Sequence, residues 1–167
     1  MLRLAFFRGF TSRDSVMPSA SLSIDIKAAS EDVFDLIHNY TRRLEWDPFL
    51  REAHLLDGAE VAEIGVASRC IARRAVGGAS MDTVYVTFSR PTVAAVSMTR
   101  GPWFLCSFAA SIRQDCIDDG IVRVTYRYNF KAFPRFLSSL IEPVVQLVFR
   151  RETSRRLSAL KCFVERG

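Results

Sequence analysis

Two long runs of strict alternation constrain this chain more than anything else in it. Phe104, Cys106, Phe108, Ala110 and Ile112 alternate with Ser107, Ser111 and Arg113, and Val122, Val124, Tyr126, Tyr128 and Phe130 alternate with Arg123, Thr125, Arg127 and Asn129. A period of two puts each set on one side of a strand. Asp118-Asp119-Gly120 between the runs supplies a hairpin turn, so they read as an antiparallel pair with one wet and one apolar face. The apolar face needs a cover, and residues 133–166 read as one long helix, opened by Pro134 near its first turn and kinked or broken near Pro143.

The same rules order the rest of the chain. Leu22, Ile24 and Ile26 alternate with Ser23 and Asp25 in a first strand, Ser21 to Lys27. Ser30 then reads as the cap of a helix with Glu31 and Asp32 in its first turn and Val33, Phe34 and Ile37 as its core stripe. Asn39 to Trp46 reads as a second short helix, stopped by Asp47-Pro48. Strands over 54–56, 68–74, 81–89 and 93–99 end at Asp57-Gly58, Gly77-Gly78, Arg90-Pro91 and Gly101-Pro102. The order is strand, two helices, six strands, long helix, which is an α+β antiparallel sheet with helices on one face. At 167 residues this is one domain, placed over 20–167. No apolar run approaches the ~18 residues of a membrane span. Residues 1–19 read as a flexible N-terminal arm. Arg3, Arg8 and Arg13 are scattered there among Leu2, Leu4, Phe6, Phe7 and Phe10, with too short an apolar stretch for a secretory signal.

The net charge of +5 comes from 23 basic residues, only three of them lysines (Lys27, Lys131 and Lys161). Arg69, Arg73, Arg113, Arg123 and Arg127 fall on the outer sheet face, broken by Asp115, Asp118 and Asp119, while the aromatics point inward. That is a solvated face rather than a nucleic-acid surface. Cys70, Cys106, Cys116 and Cys162 form no Cys-x-x-Cys pair and read as reduced, mostly buried thiols of a cytoplasmic protein. His38, at a helix end, reads as a cap for carbonyls, and His54 stands alone on its strand, so no metal-ligand spacing exists and no cofactor is implied.

The long helix carries more apolar surface than one sheet can cover. From Phe136 to Phe149 apolar side chains point almost all round it, which calls for an internal cavity, a dimer partner or a membrane. Arg150, Arg151, Arg155 and Arg156 follow and read as largely outward, so the stretch 136–156 has the pattern of a segment that contacts anionic lipid, or of a dimer patch. The inner sheet face bears Phe88, Met98, Phe104, Cys106, Phe108, Tyr126, Tyr128 and Phe130. Such a lining suits a pocket for a small apolar molecule, or a solid core with tyrosine hydroxyls reaching water. Asp47 reads as a turn residue, and Arg74 and Arg100 as solvated turn flanks.

Ile24 to Lys27 with Ala29-Ser30-Glu31-Asp32-Val33-Phe34-Asp35-Leu36-Ile37, then Arg42-Arg43-Leu44-Glu45-Trp46-Asp47-Pro48-Phe49, resemble the polyketide cyclase/dehydrase branch of the SRPBCC (START-like, helix-grip) superfamily. Gly101-Pro102-Trp103-Phe104 and the closing Arg156-Leu157-Ser158-Ala159-Leu160-Lys161 are similar to that branch too. The resemblance implies a seven-stranded curved antiparallel sheet wrapped around a long C-terminal helix, with two short helices after the first strand and a hydrophobic cavity between sheet and helix. Members bind lipids, sterols, quinones, polyketides or plant hormones, and a minority catalyse cyclisation or dehydration; for the enolate chemistry that such catalysis implies, Tyr126 and Tyr128 are the donor candidates. By family position Trp46 and Phe49 lie near the cavity or its mouth. The expected ligand-binding set is completed by Trp103 and the inner-face residues Phe88, Met98, Phe104, Cys106, Phe108, Tyr126 and Tyr128, with Leu140, Val144 and Val148 from the helix. The expected partner is a small hydrophobic molecule, with peripheral membrane contact through 136–156, and the chain is read as monomer or homodimer.

Overall fold

The structure is a computed structural model in which residues 19–166 are described. The arm expected over 1–19 lies, up to residue 18, outside the described residues. Strand β1 (Ser19–Ile26) leads into helix α1 (Ser30–His38) and the single turn α2 (Arg43–Trp46). Six strands follow: β2 (Leu50–Leu55), β3 (Ala67–Ala72), β4 (Ser80–Ser89), β5 (Val93–Arg100), β6 (Leu105–Asp118) and β7 (Ile121–Ala132). Helix α3 (Ser138–Val164) closes the chain. All seven strands form one antiparallel sheet in the order β1-β7-β6-β5-β4-β3-β2. Because β1 and β2 are its two edges, the α1–α2 segment must cross from one edge to the other. This is the helix-grip arrangement that the resemblance implies.

Register explains where the space inside comes from. One inward row runs Ala20, Tyr128, Ala110, Val96, Tyr85, and the next runs Leu22, Tyr126, Ile112, Ala94, Phe88. Both rows thus set alanines next to large rings on the concave face, Ala20 and Ala110 beside Tyr128 and Ala94 beside Phe88, and the alanines leave room that the rings border. Bulges bend the sheet further, between Leu50 and Glu52, around Thr83 and Tyr85, and in β6 at Leu105–Ser107 and Cys116–Asp118. The bulge at Leu105–Ser107 corrects the simple alternation: Leu105 takes the buried place and Cys106 is turned out to solvent. Gly120, at φ +70°, makes the β6–β7 turn.

Several local expectations are revised. Ser30 caps nothing; its hydroxyl donates to the Pro91 carbonyl at 3.4 Å, and Ala29 holds the cap position. The stretch after α1 is a turn in which Asn39 Oδ1 accepts from the Thr41 and Arg42 amides, so only Arg43–Trp46 is helical. Pro134 precedes α3 instead of opening it, separated by a short 3₁₀ turn (Arg135–Leu137), and α3 is assigned continuously through Pro143. Three of the four cysteines, Cys106, Cys116 and Cys162, are exposed, and all four are unpaired.

The core divides into three packed groups. Ile26, Val33, Ile37, Trp46, Val122 and Val124 meet Leu157 and Leu160 under the C-terminal half of α3. Leu105, Tyr128 and Phe130 meet Val145 and Phe149 nearer its start. Phe34, Tyr85 and Ala94 meet Phe88 beside α1. On the convex face the register sets Arg123 opposite Asp25 and Arg69 opposite Asp82, and both pairs close at 2.7 Å. These pairs take up much of the arginine excess on the outer face.

Candidate functional site

A cavity of about 330 Å³ lies between the concave face and α3. Its helix wall is one stripe, Val144, Val145, Val148, Phe149, Glu152, Thr153 and Arg156, which is the i, i+1, i+4 spacing of a single helical face. Val144 is 63% exposed and Val148 40%, so the cavity opens to solvent near the start of α3. At the other end Glu152 and Thr153 are each 6% exposed and Arg43 7%. The mouth is therefore apolar and the inner end polar.

The inner end is organised by Asp47, whose side chain has no solvent exposure. Asp47 Oδ2 accepts from Arg43 Nε at 3.0 Å and from Arg156 Nε and Nη2 at 3.0 and 2.8 Å, while Oδ1 accepts from the Phe49 amide at 3.1 Å. Burial alone would raise this carboxyl; the guanidiniums of Arg156 and Arg43 outweigh it and hold Asp47 below the usual carboxylate range. Arg43 also donates to the Ile37 carbonyl and stacks over Trp46 at 4.6 Å, and Arg156 sits 5.4 Å above the Phe49 ring. Asp47 is thus no ordinary turn residue, and Arg156 points inward rather than out, because it stands four residues before Leu160 on the stripe that faces the sheet.

Beside this centre is an aromatic cluster built on His38. Its Nδ1 is hydrogen-bonded to Tyr85 Oη at 2.9 Å, and Tyr85 Oη in turn to Tyr40 Oη at 3.2 Å. Burial, helped by the nearby Arg43 charge, pushes His38 down to about 3, so the ring is neutral. His38 Nε2 is buried with no partner, as is the hydroxyl of Tyr128. Burial raises the phenols of Tyr85, Tyr40 and Tyr126, and pushes Tyr128 up to about 12. His54, by contrast, is half-exposed beside Glu52 at 3.6 Å and far from this chemistry in kind.

Of the thirteen residues expected to line a pocket, the structure brings seven together: Phe49, Phe104, Phe108, Tyr126, Tyr128, Val144 and Val148. The other six sit elsewhere for identifiable reasons. Trp46 is consumed by the core under α3, and Phe88 packs edge-on against Phe34, His38 and Tyr85. Met98 folds under Gly101, where any Cβ would strike its sulfur. Cys106 is displaced by the bulge, while Trp103 and Leu140 are 77% and 69% exposed. Arg74 and Arg100 are exposed, as expected of turn flanks. The sequence reading missed His38, Tyr40, Arg43 and Arg156. The last two were signalled: Arg43 and Asp47 are four apart, and Arg156 shares the inward period with Leu157 and Leu160. Among the described residues no group of three or more His, Cys, Asp or Glu could hold a metal ion.

Comparison with known proteins agrees with this architecture. No curated protein matches the sequence. A START superfamily protein from Mycobacterium smegmatis superposes with a TM-score of 0.73 at 10% identity, covering 89% of this chain and 97% of its own. The Zhui aromatase/cyclase from Streptomyces sp. R1128 gives 0.74 at 13% identity, with 90% and 95% covered. The protein XoxI from Bacillus cereus gives 0.67 at 16% identity, with 89% and 96% covered. At such identities these likenesses establish the fold. The family profile described as polyketide cyclase/dehydrase and lipid transport matches residues 17–165, nearly the whole sequence. With that match over nearly the whole sequence, the chain belongs to the polyketide cyclase/dehydrase and lipid transport family.

Proposed function

We propose that this protein is a carrier or sensor that holds one small hydrophobic or aromatic molecule, of lipid, polyketide or quinone type, between its sheet and α3. The observation that carries this reading is the cavity of about 330 Å³ with an apolar mouth and a wall of rings and alanines. Space of that size within an otherwise packed domain costs stability unless something fills it. Native mass spectrometry of the protein purified without organic additives tests it: a bound small molecule, lost on denaturation, is expected. A ligand present at a hundredfold excess over its Kd should add about 2.7 kcal/mol. That is several degrees in Tm for a domain this size; no shift with any apolar compound of suitable size rejects the reading. The four unpaired cysteines support a cytoplasmic location.

A second reading, cyclase or dehydrase chemistry, is favoured by one observation: polar groups converge inside the cavity. Enolisation of a polyketone needs a base and an oxyanion donor facing the same substrate. Glu152, a carboxylate on the cavity wall, and Tyr126 or Tyr128 supply groups of those kinds. Conversion of an aromatisable poly-β-keto thioester, abolished in Glu152→Gln but not in Trp103→Ala, supports this reading, and absence of turnover removes it.

A further inference from the structure

We infer that the inner end of the cavity is an anion site, so that the ligand is an apolar molecule carrying one anionic oxygen group, held by Arg156 and Arg43. The inference rests on the cavity-binding reading and narrows it to a chemical class. Both guanidiniums border the cavity, whereas Asp47 does not. Asp47 lies behind them with no exposure, its Oδ2 taken by three N–H donors and its Oδ1 by the Phe49 amide. One carboxylate faces two guanidiniums, which leaves one positive charge over. Glu152 also borders the cavity, but its carboxylate is held at 3.0 Å by Arg155, a guanidinium that is half-exposed, so that pair cancels. His38 is neutral and adds no charge.

The geometry leaves donors as well as charge. Arg156 spends its Nε and one Nη2 hydrogen on Asp47, and Arg43 spends Nε on Asp47 and Nη1 on the Ile37 carbonyl. A guanidinium has five N–H donors, so Nη1 of Arg156 and Nη2 of Arg43 remain for a ligand. The rings of Phe49 and Tyr126 lie 5.4 and 5.9 Å from the Arg156 guanidinium and pack against it. A fork of donors fixed by Asp47, with surplus charge at the inner end of an apolar cavity, is what a carboxylate or enolate oxygen requires. A purely hydrocarbon ligand would leave that end unsatisfied.

A matched pair of probes tests this: 2-naphthoic acid and 2-naphthalenemethanol, titrated calorimetrically at pH 7 against the full chain. The acid should bind at least tenfold more tightly, since a hydrogen bond to a charged group contributes that much or more. The preference should vanish in Arg156→Gln, which removes the surplus charge and leaves Asp47 paired with Arg43 alone, so that the site becomes neutral. It should survive in Arg150→Gln/Arg151→Gln, which removes surface charge only. Equal binding of acid and alcohol to the wild type overturns the anion site and leaves the cavity reading standing. Binding of neither overturns both. A preference that persists in Arg156→Gln but disappears in the surface variant assigns the anion to the surface and also overturns the proposal.

Discussion

At the scale of single residues, two buried titratable groups set how this protein responds to acid. His38 is protonated in the unfolded chain below about pH 6.5, but in the folded chain only near pH 3. Its contribution to stability is therefore complete above pH 6.5 and is lost as pH falls through that window, by at most about 5 kcal/mol. His38→Asn keeps an acceptor near Nδ1 for Tyr85 and removes the titration. Urea unfolding from pH 7 to pH 4 should show a flatter stability profile than the wild type, and an unchanged slope would show that His38 titrates normally. Asp47 acts at lower pH. Its folded carboxyl is depressed, so its contribution is present above the ordinary carboxylate value of 3.8 and is lost as pH drops below it. At neutral pH Asp47→Asn strands two buried guanidiniums and should cost about 3–5 kcal/mol. Adding Arg156→Gln should return part of that loss, a coupling that a double-mutant cycle reads directly.

Between elements, α3 divides into halves with opposite duties. The C-terminal half is held by burial: Leu160 is 1% exposed among Ile26, Ile37 and Val124, and Leu160→Ala should cost about 2–5 kcal/mol. The N-terminal half is not, for Leu140, Val144 and Leu147 are 69, 63 and 68% exposed, and Phe136 in the turn before it is 81% exposed. Leu140→Ser/Leu147→Ser should change stability by less than about 0.5 kcal/mol. With exposed Arg150 and Arg151 one turn further on, the peripheral membrane contact expected from the sequence would set this surface against anionic lipid. Flotation with vesicles containing anionic lipid should retain the wild type and lose the double serine variant. Retention of both, or of neither, rejects membrane contact by this surface. No described helix is long and apolar enough to cross a bilayer. The sequence showed the apolar surplus of this segment but not its direction, because composition cannot say which side of a helix meets the sheet. The stripe Val145, Phe149, Thr153, Arg156, Leu160 does say so, and it makes Arg156 inward despite its charge.

For the molecule as a whole, the alternation that made β6 and β7 legible also hid part of the site. Period two correctly placed Phe108, Tyr126 and Tyr128 on the concave face, but one bulge reversed Leu105 and Cys106, and bulges leave no mark in hydrophobic pattern alone. The polar end was less legible still: Asp47 and Arg156 are 109 residues apart in the chain, and only the closed fold joins them. Legible in principle, yet easily passed over, were the alanines. Ala110 sits at the centre of one inward row and Ala94 one place from the end of the other, and both small side chains line the cavity. Ala110→Leu should then extend a side chain into space next to Val96 and Tyr128. Filling a void adds apolar burial without the strain of overpacking a dense core, so the variant should match or exceed the wild type in stability, by up to about 2 kcal/mol. At the same time it should abolish the ligand-dependent rise in Tm. Loss of stability with ligand binding intact would mean that the interior is already full at Ala110, and that binding takes place elsewhere on the molecule.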